Sequence, residues 1–356
     1  MSLERHAVAA VVLVVMLGFA LRIRGLDRAG FNEDEVQKVN AARAYLRGDF
    51  SSNLEHPMFM KSLIAVSLAA TDHWNHGFGR LHPLSDEFAV RLPNVIFGAL
   101  TSAVIFALAS EFLSLQVALL SSLLWSFGTI AIMDNRIAKE DTLLVFFVWL
   151  GYYFYIKAKK ASAISNRGNS EASGKWYAAA GASFGLMLAS KYFPHYLGLI
   201  FLYYFLPLNR GAYPTLRRRD YFLLFGAFAI VFLAANPIVL FPSTIKYMLH
   251  YAAEGTMTHH GYLMMGHFYF DDPAHLRGGM PWYFYLLLLA IKTPLPVLFA
   301  LSVGMVEVAR CRREAGPSFL ILMSLLWIVP FSLLSAKWLR WMLSWMPTIY
   351  IIAAIG

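Results

Sequence analysis

The sequence predicts an all-α fold: a polytopic bundle of about ten transmembrane helices, with a long first external loop carrying helices beside the membrane. Three observations predict it. Hydrophobic residues make up 58% of the chain and aromatic residues 15%, more apolar surface than a soluble domain encloses. Charge-free runs recur at about the 20 residues an α-helix needs to cross the hydrocarbon core. The basic residues, which give a net charge of +9, fall in short tracts between those runs. That pattern argues for membrane topology and against a nucleic-acid partner, which would call for one exposed basic stripe.

The first span covers 7–24. Met1 to Leu21 combines a short charged head with an apolar run, but Arg22, Arg24 and Asp27 follow without a small-residue cleavage site. It therefore reads as a retained helix and not as a removed signal peptide. Further spans are predicted at 88–110, 114–133, 142–157, 176–191, 194–208, 220–240, 281–302, 317–335 and 339–356. Three connections are basic: Lys157, Lys159, Lys160, Arg167 and Lys175; then Arg210, Arg217, Arg218 and Arg219; then Arg310, Arg312 and Arg313. The positive-inside rule makes those loops cytoplasmic, together with the N-terminus and the single cysteine, Cys311. Residues 25–87 and 241–280 are then long external loops. In the first of them, Met58 to Ala70 is apolar but too short to span and is interrupted by Lys61, so it reads as a re-entrant or interfacial segment. Residues 158–175, rich in Ala, Ser, Gly and Lys, form a solvated linker. No internal repeat is visible.

The string FNEDEVQKVN, Phe31 to Asn40, places three consecutive carboxylates, Glu33, Asp34 and Glu35, just outside the first span of a chain only 14% charged. Part of this is local chemistry. Asn32 and Glu35 stand three apart, as in a capping box, and Val36, Val39 and Leu46 recur at helical spacing, which predicts an amphipathic surface helix. Asp34 in its first turn is held ionised by the helix N-terminus, which suits either a structural carboxylate or a base facing a hydroxyl.

The acidic pair is followed by HPMFMKSL, with His56, Pro57 and Lys61, and by RLPNVIFGAL, with Arg91. Next come NRIAKEDTLLVFF, with Arg136 and Asp141, and ASKYF, with Lys191. The series closes with PWYFYLLLLAIKTPLPVL, with Trp282 and Lys292, and KWLRWMLSWMP, with Arg340 and Pro347. In order and spacing this set resembles the integral-membrane glycosyltransferases of the C superfamily. The resemblance is to the protein O-mannosyltransferase family in particular and its bacterial relatives, such as the aminoarabinose transferase of lipid A. It covers nearly the whole chain as a single domain, 1–356. The family patterns are an Asp-Glu pair after helix one, His-Pro-Pro-x-x-Lys, Arg-x4-Asp, Ser-Lys-Trp/Tyr and Arg-Tyr-x-x-Pro-x-x-Pro. Met58 replaces the second proline of the His-Pro-Pro pattern, and Ser344 replaces the first proline of the last one. The sequence stops at Gly356, where related enzymes often continue into further helices or a soluble domain.

The resemblance implies an inverting enzyme that moves a sugar, a mannose-like hexose or a pentose, from a polyprenyl phosphate carrier to an acceptor hydroxyl on the outer face of the membrane. The acceptor is a protein, lipid or glycan. No cofactor is required beyond the lipid-linked donor, and a divalent metal is left open. Asp34 matches the general-base position, Glu35 orients it or the acceptor, and Asp141 completes the catalytic set. Cations must stabilise charge developing on the leaving phosphate. Lys191 and Arg136 are the first candidates, Lys61 and Arg340 the next, and His56, His259 and His260 complete the substrate contacts.

Each of these residues also has a plainer role. Glu35 caps a helix, Lys191 snorkels from a helix end, Arg136 braces its loop through Asp134 or Asp141, and Arg340 anchors at the interface. Charges near membrane depth are costly, which favours function. Nine of the eleven histidines fall in the external loops, but a metal site needs three or four ligands converging from separate segments. The competing class is a transporter or flippase, for which paired repeats would be the mark. A noncatalytic scaffold leaves Asp34, Asp141 and Lys191 without a shared purpose.

Overall fold

The computed structural model describes residues 2–79, 82–165, 171–198, 200, 217–253, 262–269 and 279–356. In chain order the helices are α1 (Ser2–Ile23), α2 (Glu33–Leu46), α3 (Met58–Gly77), α4 (Asp86–Ala109), α5 (Leu115–Phe127), α6 (Thr129–Asp134), α7 (Glu140–Ser165) and α8 (Glu171–Ser190). They continue with α9 (Arg218–Ala235), α10 (Pro242–Ala253), α11 (Phe284–Lys292), α12 (Leu295–Arg310), α13 (Ala315–Leu333) and α14 (Met346–Ile355). Between α10 and α11 a short antiparallel hairpin pairs β1 (Tyr262–Met264) with β2 (His267–Tyr269), Tyr262 opposite Tyr269. The chain is a membrane helix bundle. Among the described residues His6–Ile23, Asp86–Ala109 and Ala315–Leu333 are long and apolar enough to cross a bilayer individually, and α5 and α14 are shorter apolar helices.

Helix α7 packs on α4 and α8, α8 on α9, and α14 on α5 and α12. The interior is aromatic: Trp125, Trp149, Tyr152, Tyr177, Tyr196 and Trp327 are all buried. Close approach of α8 and α9 depends on Gly181 and Gly185. A Cβ at Gly181 would lie 2.0 Å from the Leu224 carbonyl oxygen, and one at Gly185 2.7 Å from that of Phe228, the small-residue packing that membrane helices favour. Arg22, read from sequence as a flank of the first span, is buried in the bundle. Its guanidinium donates to Asn135 Oδ1 at 3.0 Å and to the carbonyls of Gly18, Trp125 and Ser126, fastening α1 to α5.

Several predicted spans are interrupted. The 281–302 span breaks between α11 and α12, where Thr293 is extended ahead of Pro294, as the residue before proline prefers. The 114–133 span breaks at an extended Gly128 between α5 and α6. The 339–356 span opens with a 3-10 helix, Leu339–Ser344, before α14. The 194–208 span starts as a 3-10 turn, Pro194–Leu197, and most of the remainder lies outside the described residues. The interfacial segment at 58–70 extends to Gly77 as α3, which buries Met60, Ile64, Ala65 and Leu68 and packs on α2 and α4.

The face of α2 differs from the sequence expectation. Val36 and Leu46 are exposed, and the buried stripe is Glu35, Lys38, Val39, Ala42 and Tyr45. The helix turns charged groups inward where each meets a partner of opposite sign, Glu35 with Arg91 and Lys38 with Glu140, which offsets the penalty for their burial.

Helix ends sort into two groups. Glu111, just past α4, pairs with Lys157 at 3.5 Å and Lys160 at 2.9 Å on α7, which ties the C-terminal ends of α4 and α7 together. At the opposite end of the bundle meet the C-terminus of α1, the N-termini of α4 and α7, the residue after α8, and the segment before α14. Helix α2 joins them there.

Candidate active site

A frame comes first. Arg91, in the second turn of α4, uses its five N–H groups completely. It grips Glu35 with Nε to Oε1 at 2.9 Å and Nη2 to Oε2 at 2.7 Å, and donates to the carbonyls of Leu26, Ala29 and Gly30 at 2.8 Å each. Glu35 also accepts from the Ala138 amide at 2.8 Å and from the Asn32 amide at 2.9 Å, the latter being the return half of a capping box. Burial opposes its ionisation, but Arg91 and the two amides outweigh that and hold the carboxyl below its usual range. Glu35 thus locks the α1–α2 turn, the start of α2 and the segment before α7 into one unit.

The adjacent residue, Asp34, faces the other way. Its Oδ2 forms ion pairs with Lys139 and, at 3.2 Å, with Arg340. Arg340 Nε lies 3.9 Å from Asp141 Oδ2, and Asp141 Oδ1 accepts from Lys191 at 2.6 Å. The result is an alternating row of Lys139, Asp34, Arg340, Asp141 and Lys191. Lys191 also sits 4.6 Å from the centre of the Phe193 ring. Burial works against the Asp34 carboxylate, but Lys139, Arg340 and Lys38 more than offset it and lower its pKa. Lys139 is pushed down to about 8 by burial and by its cationic neighbours Lys38 and Arg340. Behind this row, buried Lys38 pairs with Glu140 at 2.8 Å, and His56 Nδ1 lies 3.6 Å from the same carboxylate.

The row opens on a cavity of about 560 Å³. Asn32, Asp34, Asp134, Lys139, Asp141, Lys337 and Arg340 form its polar lining, and Met280, Phe284, Leu287, Leu288 and Ile291 form an apolar wall. The hairpin contributes Leu263, Met264 and Met265. Among the described residues no group of three or more His, Cys, Asp or Glu side chains is arranged to hold a metal.

Of the residues singled out in the sequence, Asp34, Asp141 and Arg340 line the cavity, and Lys191 supports Asp141. Glu35 belongs to the frame, and His56 to the layer behind. Lys61 is buried away from the cavity, donating to the carbonyls of Asn53 and His56. Arg136 donates to the carbonyls of Arg24 and Gly25, at 2.9 Å each. It braces the turn after α1 and pairs with neither Asp134 nor Asp141. His259 and His260 lie outside the described residues. Sequence reasoning missed Lys38, Asp134, Lys139, Glu140 and Lys337 as site groups. Lys139 and Glu140 stand inside the string NRIAKEDT, and Lys38 follows Asp34 by one helical turn.

Both departures from the family pattern have structural reasons. The Met58 amide donates to Asn236 Oδ1 at 2.9 Å, a bond proline has no N–H to make. The Ser344 hydroxyl accepts from Tyr196 at 2.6 Å and from the Trp327 indole at 2.8 Å, and donates to the Trp341 carbonyl at 2.8 Å. This node anchors the 3-10 helix that carries Arg340. Ser344→Ala strips two buried donors of their acceptor, at about 1–3 kcal/mol each, and is expected to lower the thermal unfolding midpoint in detergent. An unchanged midpoint would contradict the node's role.

Residues 81–241 match the family model described as dolichyl-phosphate-mannose-protein mannosyltransferase, a region running from just before α4 to Phe241. No curated protein sequence matches the chain. Among solved structures, the fold is similar to that of ArnT from Cupriavidus metallidurans bound to undecaprenyl phosphate, with a TM-score of 0.66 and 17% identity over 99% of this chain and 60% of that one. It is also similar to the Archaeoglobus fulgidus oligosaccharyltransferase AglB in complex with an inhibitory peptide and a dolichol-phosphate, with a TM-score of 0.62 and 12% identity over 99% of this chain and 50% of that one. The chain thus spans about half to three fifths of the length of these structures. The matched region and the helical topology converge: this is an integral membrane protein with the fold shared by the ArnT and AglB structures.

Proposed function

We propose that this protein is an inverting glycosyltransferase that moves a sugar from a polyprenyl phosphate to an acceptor hydroxyl at the outer face of the membrane. The observation that carries this reading is the row of alternating carboxylates and cations at a cavity with one apolar wall. Asp34 accepts the acceptor's proton as the acceptor oxygen forms its bond to the anomeric carbon. On the opposite side of that carbon the bond to the phosphate oxygen breaks, so the configuration inverts and polyprenyl phosphate leaves. Arg340 and Lys139 stabilise the charge gathering on the phosphate, Lys191 holds Asp141 in place, and the apolar wall of α11 faces the first isoprene units. An arriving phosphate also competes with Asp34 for Lys139 and Arg340. Donor binding therefore strengthens Asp34 as a base at the step that needs one.

Radiolabelled polyprenyl phosphate sugars incubated with the purified protein in membranes should yield glycosylated acceptor and free polyprenyl phosphate in equal amounts. Movement of intact labelled donor across the bilayer, with the sugar-phosphate bond unbroken, would establish the flippase reading in its place. The fold matches reported above are both to transferases, which leaves that alternative without a supporting observation. The sided assignment has its own test. Native Cys311 should escape an impermeant maleimide in intact cells, while Ser51→Cys in a Cys311→Ser background should label. The reverse pattern would put the cavity on the cytoplasmic face.

A further inference from the structure

We propose that Asp134 binds a hydroxyl of the sugar carried by the donor and thereby sets which sugar the cavity accepts; this deepens the transferase reading and rests on it. Asp134 ends α6, nearly two turns beyond the break at Gly128, and the residue lines the cavity although it is only 7% exposed. Its Oδ2 is fully buried and has no hydrogen-bond partner. Asp141, on the same cavity, also leaves its Oδ2 without a hydrogen bond. Buried polar atoms in native folds are almost always satisfied, so a buried carboxyl oxygen left without a partner beside a cavity marks a place that an entering polar group can complete.

The chemistry of the donor selects the group that meets it. The phosphate is already met by Arg340 and Lys139, and it repels the ionised form of Asp134. The isoprenoid is excluded because apolar contact leaves the carboxyl oxygen unpaired. Among the described residues no cation forms an ion pair with Asp134: Lys139 engages Asp34, Lys191 engages Asp141, and Arg340 lies between those two carboxylates. Burial and the neighbouring Asp141 push the Asp134 carboxyl up to about 7, against the opposing effect of Arg340. A carboxyl can bond a hydroxyl in either form, the carboxylate as acceptor and the acid as donor or acceptor. The acceptor hydroxyl is served by Asp34, whose side chain is 40% exposed. What remains for the buried Asp134 is the sugar ring.

The test measures binding of polyprenyl phosphate, of a polyprenyl phosphate hexose, and of a donor series in which each ring hydroxyl is replaced in turn by hydrogen. The proteins are the parent, Asp134→Ala and Asp134→Asn. In the parent, the hexose should bind more tightly than the bare carrier, and loss of one particular hydroxyl should weaken binding at least about tenfold, because a site built for a hydroxyl discriminates strongly against its absence. Asp134→Ala should bind bare carrier as the parent does, which also reports an intact fold, but should bind the hexose and that deoxy donor equally. Asp134→Asn, which keeps a donor and an acceptor at the same position, should restore most of the discrimination. An unchanged deoxy ratio in Asp134→Ala would overturn the assignment. So would a parent that binds the carrier but gains nothing from the sugar, with the transferase reading left standing. A parent that binds neither carrier nor donor sinks both.

Discussion

Asp34→Asn is expected to lower sugar transfer by about 10² to 10⁴, the usual contribution of a general base, while polyprenyl phosphate should bind at least as tightly as to the parent. The two halves of this result have one cause. The amide cannot take the acceptor's proton, so turnover falls. It also gives up its claim on Lys139 and Arg340, which in the parent are paired with Asp34, so both cations are freer to meet the carrier phosphate. Single-turnover rates and carrier affinity, measured on the same preparations, read the two effects separately. Parental turnover would remove Asp34 from the chemistry. Weakened carrier binding would mean that Asp34 organises the cations instead of competing with the ligand for them.

The pH profile follows from the same contacts. Lys139 and Arg340 lower the Asp34 pKa, so the free enzyme keeps its base ionised below the usual carboxylate value of about 3.9. The acid limb of kcat/KM, which reports the free enzyme, is expected below that value. Once donor phosphate has drawn those cations away, the acid limb of kcat should lie at higher pH. On the alkaline side Lys139, held at about 8, loses its charge as pH rises, so kcat/KM should decline through that region.

Much of the fold was legible because hydropathy and basic tracts are local and repetitive signals. The ion pairs were less so. Asp34 and Arg340 lie 306 positions apart in the chain, and only the order of the family motifs suggested that they belong together. Arg136 and Lys139 occupy the same short segment, and nothing in the sequence says which of them turns toward Asp34. That is decided by the Ala138 amide, whose bond to Glu35 fixes the direction of the segment. The α2 stripe misled for a similar reason: a hydrophobicity pattern cannot show that Glu35 and Lys38 face inward, since their burial depends on Arg91 and Glu140 from distant helices. Asp134 was passed over because the sequence gives no sign of a carboxyl left unsatisfied.

Glu35 and Arg91 are expected to fail in a different way from Asp34. Removing one partner of a buried ion pair costs about 3–5 kcal/mol because the other charge stays behind uncompensated, and here the frame suffers as well. Arg91→Met leaves the Leu26, Ala29 and Gly30 carbonyls without their donors and leaves Glu35 held only by the amides of Asn32 and Ala138. The unfolding midpoint should drop by several degrees, residues 25–31 should become open to protease, and turnover should fall with the folded fraction. Arg91→Lys keeps the charge but not the five-donor fork, so it should recover only part of the loss. Glu35→Gln should destabilise as well, since its amide cannot neutralise the guanidinium even where it still accepts a hydrogen bond. Replacing both residues together by apolar ones, Glu35→Leu with Arg91→Met, should cost less than the two single changes summed, because no orphan charge remains. The decisive comparison is stability against rate. If Glu35→Gln kept the parental midpoint and carrier affinity yet stopped sugar transfer, Glu35 would act in the chemistry beside Asp34, and the division of the acidic pair into a base and the frame that presents it would be wrong.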